Sequence, residues 1–262
     1  MAIVALCLCL VHGTAWSRPP DPLSGGSVDE FGKYMPAETV AMAEDLPADS
    51  SKWLEHAAGM IEDLGDGKHR IGLVLIDSKS RSVTIPARVH ARSGLVEYAL
   101  VTEKGKVHEA LLTTKASPLH VHLAALLAGL AAEKNDVTRP IEVWLEWQGN
   151  GPARRQRLEE WVALAEESPS GDIGGTLETG DWTYHGSVLD QQGFAASREG
   201  SLISLIGDLA ALVLNPRPGR VNDKLHVPNA KVMPPEGFPV SVIFRPAALD
   251  VAGDDAEKAA PP

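Results

Sequence analysis

A chain of 262 residues, 44% hydrophobic but only 5% aromatic, is long enough for one large domain with a core of Val, Leu, Ile and Ala. Its formal net charge of −11 is uneven: residues 29–66 carry ten acids against two bases, the segment after Pro246 four against one, and residues 67–246 twenty against twenty. A neutral body gives no electrostatic reason to bind nucleic acid or an anionic membrane, and the acidic ends serve solubility.

The chain opens with an apolar run, Ile3–Val11, too short to span a bilayer. Ala15-Trp16-Ser17 follows as a small-x-small cleavage pattern. Residues 1–17 therefore read as a secretory signal peptide, although no Lys or Arg precedes the run, and a secreted or periplasmic location follows. Cys7 and Cys9, the two cysteines, lie inside this segment. Cleavage leaves a cysteine-free mature chain, with no disulfide, thiolate metal site, iron–sulfur cluster or cysteine nucleophile, and with no stable membrane span.

Residues 18–50, rich in Pro, Gly, Ser and acids, form a flexible acidic lead. Ser51–Leu64 places Trp53, Leu54, Ala57, Ala58 and Ile61 on one helical face. Alternating runs at Arg70–Ile76, Ser82–His90, Leu95–Thr102 and Lys106–Thr113, separated by turn signals, predict an antiparallel meander. Ser117-Pro118 opens an apolar helix running to about residue 132, with Ser as N-cap and Pro at the first helical position. Further strands are expected at Pro140–Trp147, Asp181–Leu189, Leu202–Ile206 and Pro239–Phe244. Arg155–Glu167 is expected to pass from strand to helix, and Leu209–Leu214 to form a short helix. The pattern predicts an α+β class: mainly antiparallel strands, one strongly apolar core helix and a few shorter helices. A single domain spans 51–246, followed by a disordered acidic tail at 247–262.

Several strings resemble one family in order: PARVHARSGLVEYALVTEKGKVHEALLTT, SPLHVHLAALLAGL, WTYHGS, GFAASREGSLISLIGDLAALVLNPRPGRVND and PPEGFPVSVIFRP. They resemble the bacterial YdjY-domain proteins over roughly residues 65–246. The resemblance implies an exported bacterial protein and carries no agreed activity. Its matching polar or glycine positions are Glu97, Lys106, His108, Glu109, His122, Gly186 and Ser187, while His90 stands where the pattern expects Asn.

The densest chemistry is His108, Glu109, His120 and His122. On a strand, His108 and Glu109 point to opposite faces; on a helix, His120 and His122 lie about 200° apart, unlike the i, i+4 spacing of zinc helices. One residue from each pair could converge, Glu109 with His122, as a metal or acid–base site in which His108 also takes part. The competing reading is a neutral His122 bonded to Glu109 or a strand carbonyl, a polar rivet between sheet and helix. His185-Gly186-Ser187 lacks a nucleophile elbow and reads as turn chemistry. Arg217 and Arg220, in a Pro/Arg loop, are candidates to hold an anionic group on a ligand or partner. Trp144 and Trp147 fall on opposite strand faces, which leaves one at an edge or interface, and Trp147 is the docking candidate. The favoured function is a non-catalytic envelope binding or interaction module, with an envelope protein or small ligand as partner. The alternative is a metal-dependent or acid–base enzyme using Glu109, His122 and His108.

Overall fold

A computed structural model describes residues 59–131, 139–165 and 173–247, together with two paired two-residue strands, Ser27–Val28 and Tyr34–Met35. The expected signal peptide, most of the acidic lead and nearly all of the tail lie outside the described residues. From Ile61 onward the strands are β1 Ile61–Gly65, β2 Lys68–Ile71, β3 Val74–Asp77, β4 Ser82–Val89, β5 Tyr98–Thr102 and β6 Ala110–Thr114. Helix α1, Pro118–Leu127, precedes β7 Arg139–Trp147, β8 Arg154–Arg157, β9 Val162–Ala165, β10 Ile173–Thr176 and β11 Trp182–Tyr184. The chain ends with β12 Leu189–Asp190, β13 Gly193–Phe194, α2 Ala195–Glu199, β14 Ser201–Ser204, β15 Val213–Leu214, β16 His226–Pro228 and β17 Pro239–Pro246.

Eight of these strands close on themselves in the order β4–β17–β7–β11–β15–β14–β5–β6 and back to β4. This ring corrects the α+β expectation: the chain is a mostly β protein, a closed barrel with added strands. The physical reason is alternation. In β4, Val83, Ile85, Ala87 and Val89 are buried while the residues between them are not; β7 buries Ile141, Val143, Leu145 and Trp147; β17 buries Val240, Val242 and Phe244. Strands with one apolar face and no covering layer satisfy that face by curling around it. Pairing is antiparallel except for β5–β6 and β14–β15, which run parallel.

The three longest strands do double duty. One edge of β17 pairs with β4, from Val83↔Phe244 to Arg88↔Pro239, and the other with β7, from Ile141↔Pro246 to Glu146↔Ser241. On its remaining edge β4 begins against β3 and ends against β6. Likewise β7 begins against β11 and ends against β8. The meander β1–β2–β3 thus extends the wall on one side and β8 on the other, while β9 holds a small side sheet with β10 and β16.

Helix α1 is apolar nearly all round and is buried accordingly; it packs on β3, β4 and α2 and reaches β11 through His122. As β4 and β11 sit three strands apart in the ring, α1 crosses the barrel's end. Ser117 and Pro118 start it as expected, but it stops at Leu127, short of 132. Gly129 takes a left-handed φ of 67°, and the amides of Leu130 and Gly129 bond back to the carbonyls of Ala125 and Leu126, a Schellman stop.

Other expected elements are also corrected. The helix predicted over Ser51–Leu64 meets a strand from Ile61, and its first eight residues are not described. Arg70–Ile76 is two strands hinged at Gly72, where a left-handed turn sits against the His120 ring and leaves no room for a side chain. Residues 107–109 form a 3-10 turn ahead of β6, another caps β8 at Leu158–Trp161, and the helix expected at Leu209–Leu214 is a turn leading into β15.

Candidate functional site

The candidate residues separate into distinct places. His122 is 8% exposed on α1, and its Nδ1 shares a 3.0 Å hydrogen bond with the Tyr184 hydroxyl of β11. The two rings lie nearly parallel and Phe194 tilts against the imidazole. Burial pushes the His122 imidazole down to about 4 and raises the Tyr184 phenol, so both groups are neutral at pH 7. Gly186, at φ 82°, admits the imidazole: a Cβ there would stand 3.2 Å from its Cε1. His122 is thus a rivet between helix and sheet, with a tyrosine hydroxyl as its partner.

Glu109 is elsewhere. The 3-10 turn brings it together with His108, Nε2 to Oε1 at 3.2 Å, although a regular strand would have parted them. Its backbone carbonyl accepts from the Glu97 amide, and its carboxyl adjoins the Glu97 carboxyl. Burial first, and the Glu109 charge second, raise the Glu97 pKa. The convergence of Glu109 with His122 is not formed. Among the described residues no group of three or more His, Cys, Asp or Glu is placed to hold a metal ion.

Beside this pair stands a network that sequence reasoning missed. Lys106 donates to the Tyr98 hydroxyl at 2.6 Å, and that hydroxyl donates to Asp208 Oδ2 at 2.8 Å; Asp208 and Glu199 lie 3.4 and 3.6 Å from the ammonium. Burial lifts the Tyr98 phenol to about 12. Burial opposes the charge on Lys106, yet Tyr98, Asp208 and Glu199 outweigh it and raise the pKa. A phenol whose proton is engaged by a carboxylate, beside a lysine locked as a cation, is a poor acid–base pair near pH 7. Gly105 explains the preceding residue: a Cβ there would sit 3.0 Å from the carbonyl oxygens of Glu199 and Gly200, so glycine lets this turn approach the end of α2 without displacing it. Glu97, Asp208 and Glu199 all fall in strings quoted above, and their grouping depends on the fold.

Ser187 is similarly occupied. At a left-handed φ of 66°, its hydroxyl donates to Ala210 O at 2.6 Å and accepts from the Ala196 amide at 3.0 Å, capping α2 from outside the helix.

Arg217 is buried. Its Nη2 donates to Glu159 Oε1 at 2.9 Å and to Gly180 O at 2.9 Å, and its guanidinium lies 4.9 Å from the Trp182 ring centre. Glu159, fully buried, also receives Arg157 at 3.0 Å and the Gly180 amide at 3.1 Å. Arg217 therefore bolts the loop after β15 to the barrel, while Arg220 is exposed and bonds the Pro216 carbonyl at 3.3 Å.

The outer wall differs in keeping a row of side chains partly open. Register aligns Leu75, Thr84, Ile243 and Trp144 in one outward row across β3, β4, β17 and β7. Leu75 is 43% exposed and the other three are half-buried. Arg155, Arg157 and Arg245 stack on the Trp144 ring at 4.6 to 5.7 Å. Trp147, on the opposite face, is buried edge-on against Trp161 at 5.1 Å between centroids. It lines two clefts. One of about 540 Å³ runs along Pro86, Arg88, Thr113, Glu146 and Ser241; the other, of about 390 Å³, lies against Arg154, Arg155, Gln156, Lys231 and Val232.

The family model of the YdjY domain matches residues 74–245, from β3 to the penultimate residue of β17 and well over half of the chain. No curated protein and no solved structure matches the chain significantly.

Proposed function

The chain belongs to the YdjY-domain family, and from that premise we propose that it is an exported, non-catalytic binding module of the bacterial envelope. Its binding face is the outer wall over β8, β7, β17 and β4. The observation that carries this reading is the outward row Leu75, Thr84, Ile243 and Trp144, partly open to solvent and bordered by two clefts meeting at Trp147. The barrel supports it from within. Eight strands enclose room for side chains, here filled by residues such as Ile85, Val143, Trp182, Val242 and Phe244, and α1 crosses one end. Recognition is thereby directed to the outside. Export rests on the apolar run Ile3–Val11 and the small-x-small site before Arg18.

A photo-crosslinking amino acid placed at Ile243, Ser241 or Thr84 in cells producing the tagged full chain is expected to give one discrete adduct. The same probe at Val221 or Asp190, away from this wall, is expected to give none. Equal labelling from both sets would sink the assignment. Fractionation with N-terminal sequencing tests export, with a mature chain beginning at or near Arg18 as the expected result.

One observation favours the enzyme reading: Glu97 and Glu109 pair their carboxyls beside His108, with the Glu97 pKa raised. Two adjoining carboxyls, one with its pKa raised by burial and by its neighbour, are an arrangement that can serve proton transfer. That reading requires Glu97→Gln and Glu109→Gln to abolish a turnover measurable in the intact protein.

A further inference from the structure

We propose that the smaller cleft is a carboxylate-binding site whose ligand is an extended acidic peptide; this rests on the binding-module reading and assigns its ligand class. The cleft is lined by Trp147, Arg154, Arg155, Gln156, Lys231 and Val232, with three cations and no acid.

Five described arginines are ion-paired: Arg157 by Glu142 and Glu159, Arg217 by Glu159, Arg245 by Glu142, Arg198 by Asp190, and Arg70 by Glu62. Arg81, Arg88, Arg92 and Arg220 bond backbone carbonyls instead. Arg154, Arg155 and Lys231 have no ion-pair partner among the described residues, even though the chain carries a net charge of −11. Glu146 stands opposite Arg155 in the ladder without forming a pair and faces the larger cleft. Three cations with no ion-pair partner among the described residues, set around one concavity, favour an anion there.

Two of the lining residues are held in place. Gln156 accepts from Trp161 Nε1 at 2.9 Å and donates to Glu160 at 3.0 Å, and Trp161 in turn supports Trp147 edge-on. That part of the cleft is formed before a ligand arrives, which lowers the ordering cost of binding.

The shape of the ligand follows from strand geometry. Arg154 and Arg155 are neighbours on β8, so their side chains leave opposite faces of the strand, Arg154 opposite Trp147 and Arg155 over the Trp144 ring. β8 ends its sheet, with β7 as its one strand partner among the described residues. A compact anion cannot meet both arginines, whereas a chain crossing the edge of β8 can place one acidic side chain on each. Lys231 and the apolar Trp147 and Val232 then receive a third acid and the methylenes of the ligand. Guanidinium forks match planar carboxylates and phosphates alike, so the phosphate arm of the titration below separates the two.

The test is titration calorimetry on the full-length mature chain with tetraglutamate, tetraglutamine and inorganic phosphate, at low and raised salt. Tetraglutamate is expected to bind, tetraglutamine not, and salt to weaken the binding. Arg154→Gln with Lys231→Gln is expected to weaken it by roughly ten-fold or more with Tm unchanged, since both side chains are exposed. Lys224→Gln, an exposed cation outside the cleft, is the control and should bind as wild type. Absence of saturation by tetraglutamate, equal loss in the control variant, or phosphate binding as tightly as the peptide would each overturn the proposal. In any of these cases, persistent crosslinking from Ile243 would leave the binding-module reading standing.

Discussion

Acid is expected to unlock this fold through two histidines. An imidazole in an unfolded chain titrates near 6.5. Burial pushes His122 and His226 down to about 4 in the folded protein. His122 is 8% exposed; His226 is fully buried, with neither ring nitrogen hydrogen-bonded among the described residues. The unfolded chain therefore takes up the proton first. Stability is fully present above pH 6.5 and falls as the pH drops from 6.5 towards 4. The slope is about 1.4 kcal/mol per pH unit for each histidine, so a shift of about 2.5 units amounts to about 3 kcal/mol each by pH 4.

For a domain of this size about 1 kcal/mol moves Tm by roughly 2–4 °C, so each histidine should account for about 6–12 °C between pH 7 and pH 4. The assay compares Tm against pH for the wild type, His122→Phe, His226→Phe and the double variant. Carboxylate titration is common to all four and cancels in the differences. His226→Phe breaks no hydrogen bond to the imidazole. His122→Phe leaves the Tyr184 hydroxyl without its 3.0 Å partner, at a cost of about 1–3 kcal/mol at pH 7. The double variant should show a much flatter profile between pH 6.5 and 4.5. Parallel curves for wild type and double variant over that interval would refute the claim that both imidazoles are held neutral by burial.

Glu159→Gln should cost about 3–5 kcal/mol by urea denaturation, because it strands the buried Arg217 and weakens Arg157. A loss below about 1 kcal/mol would mean that water reaches the pair. Ser187→Ala removes an acceptor from Ala196 and a donor from Ala210, and is expected to lower stability by about 1–2 kcal/mol while leaving tetraglutamate binding intact. Gly200→Ala places a Cβ at a left-handed φ of 70°, 2.8 Å from Gly105 Cα, and should lower Tm by an amount equivalent to about 1–3 kcal/mol. Dialysis against a chelator is expected to leave Tm unchanged, since His108 and Glu109 stand apart from His122; a fall in Tm restored by added zinc would contradict that placement.

What could be read from the sequence was local. Alternation marked β4, β7 and β17 because each keeps one face wet, and Ser117-Pro118 marked the start of α1. Gly129 marked its end too, but the alanines beyond it extend the apolar pattern and hid the stop. Closure was not legible. Pairing of residues 83–88 with 239–244 spans more than half of the chain, and nothing in either run specifies the other. The 3-10 turn at 107–109 was hidden because Lys106–Thr113 alternates like a strand, and that turn decides that Glu109 meets Glu97 and His108. The cationic cleft joins Arg154 and Arg155 to Lys231 through barrel geometry, so in sequence it is only a short basic run and a distant lysine.

The strings that carry the family resemblance have a mechanical meaning in this fold. One arc of the barrel is built from short strands: β11 has three residues, β15 two and β14 four, and its β14–β15 ladder runs parallel. Such an arc has few backbone hydrogen bonds, and the five-residue α2 beside it is too short to persist alone. Side chains supply what the backbone lacks. Ser187 caps the start of α2 and ties it to Ala210, Lys106 joins Glu199 at its end to Asp208, Gly105 lets that turn approach, and His122 bonds Tyr184 across the barrel's end. A side chain committed to holding a short-strand arc is not free to bind or react. The long-strand wall is held by its own ladders, and that is why Arg154 and Lys231 can stand open beside it and why the search for a ligand belongs on that side.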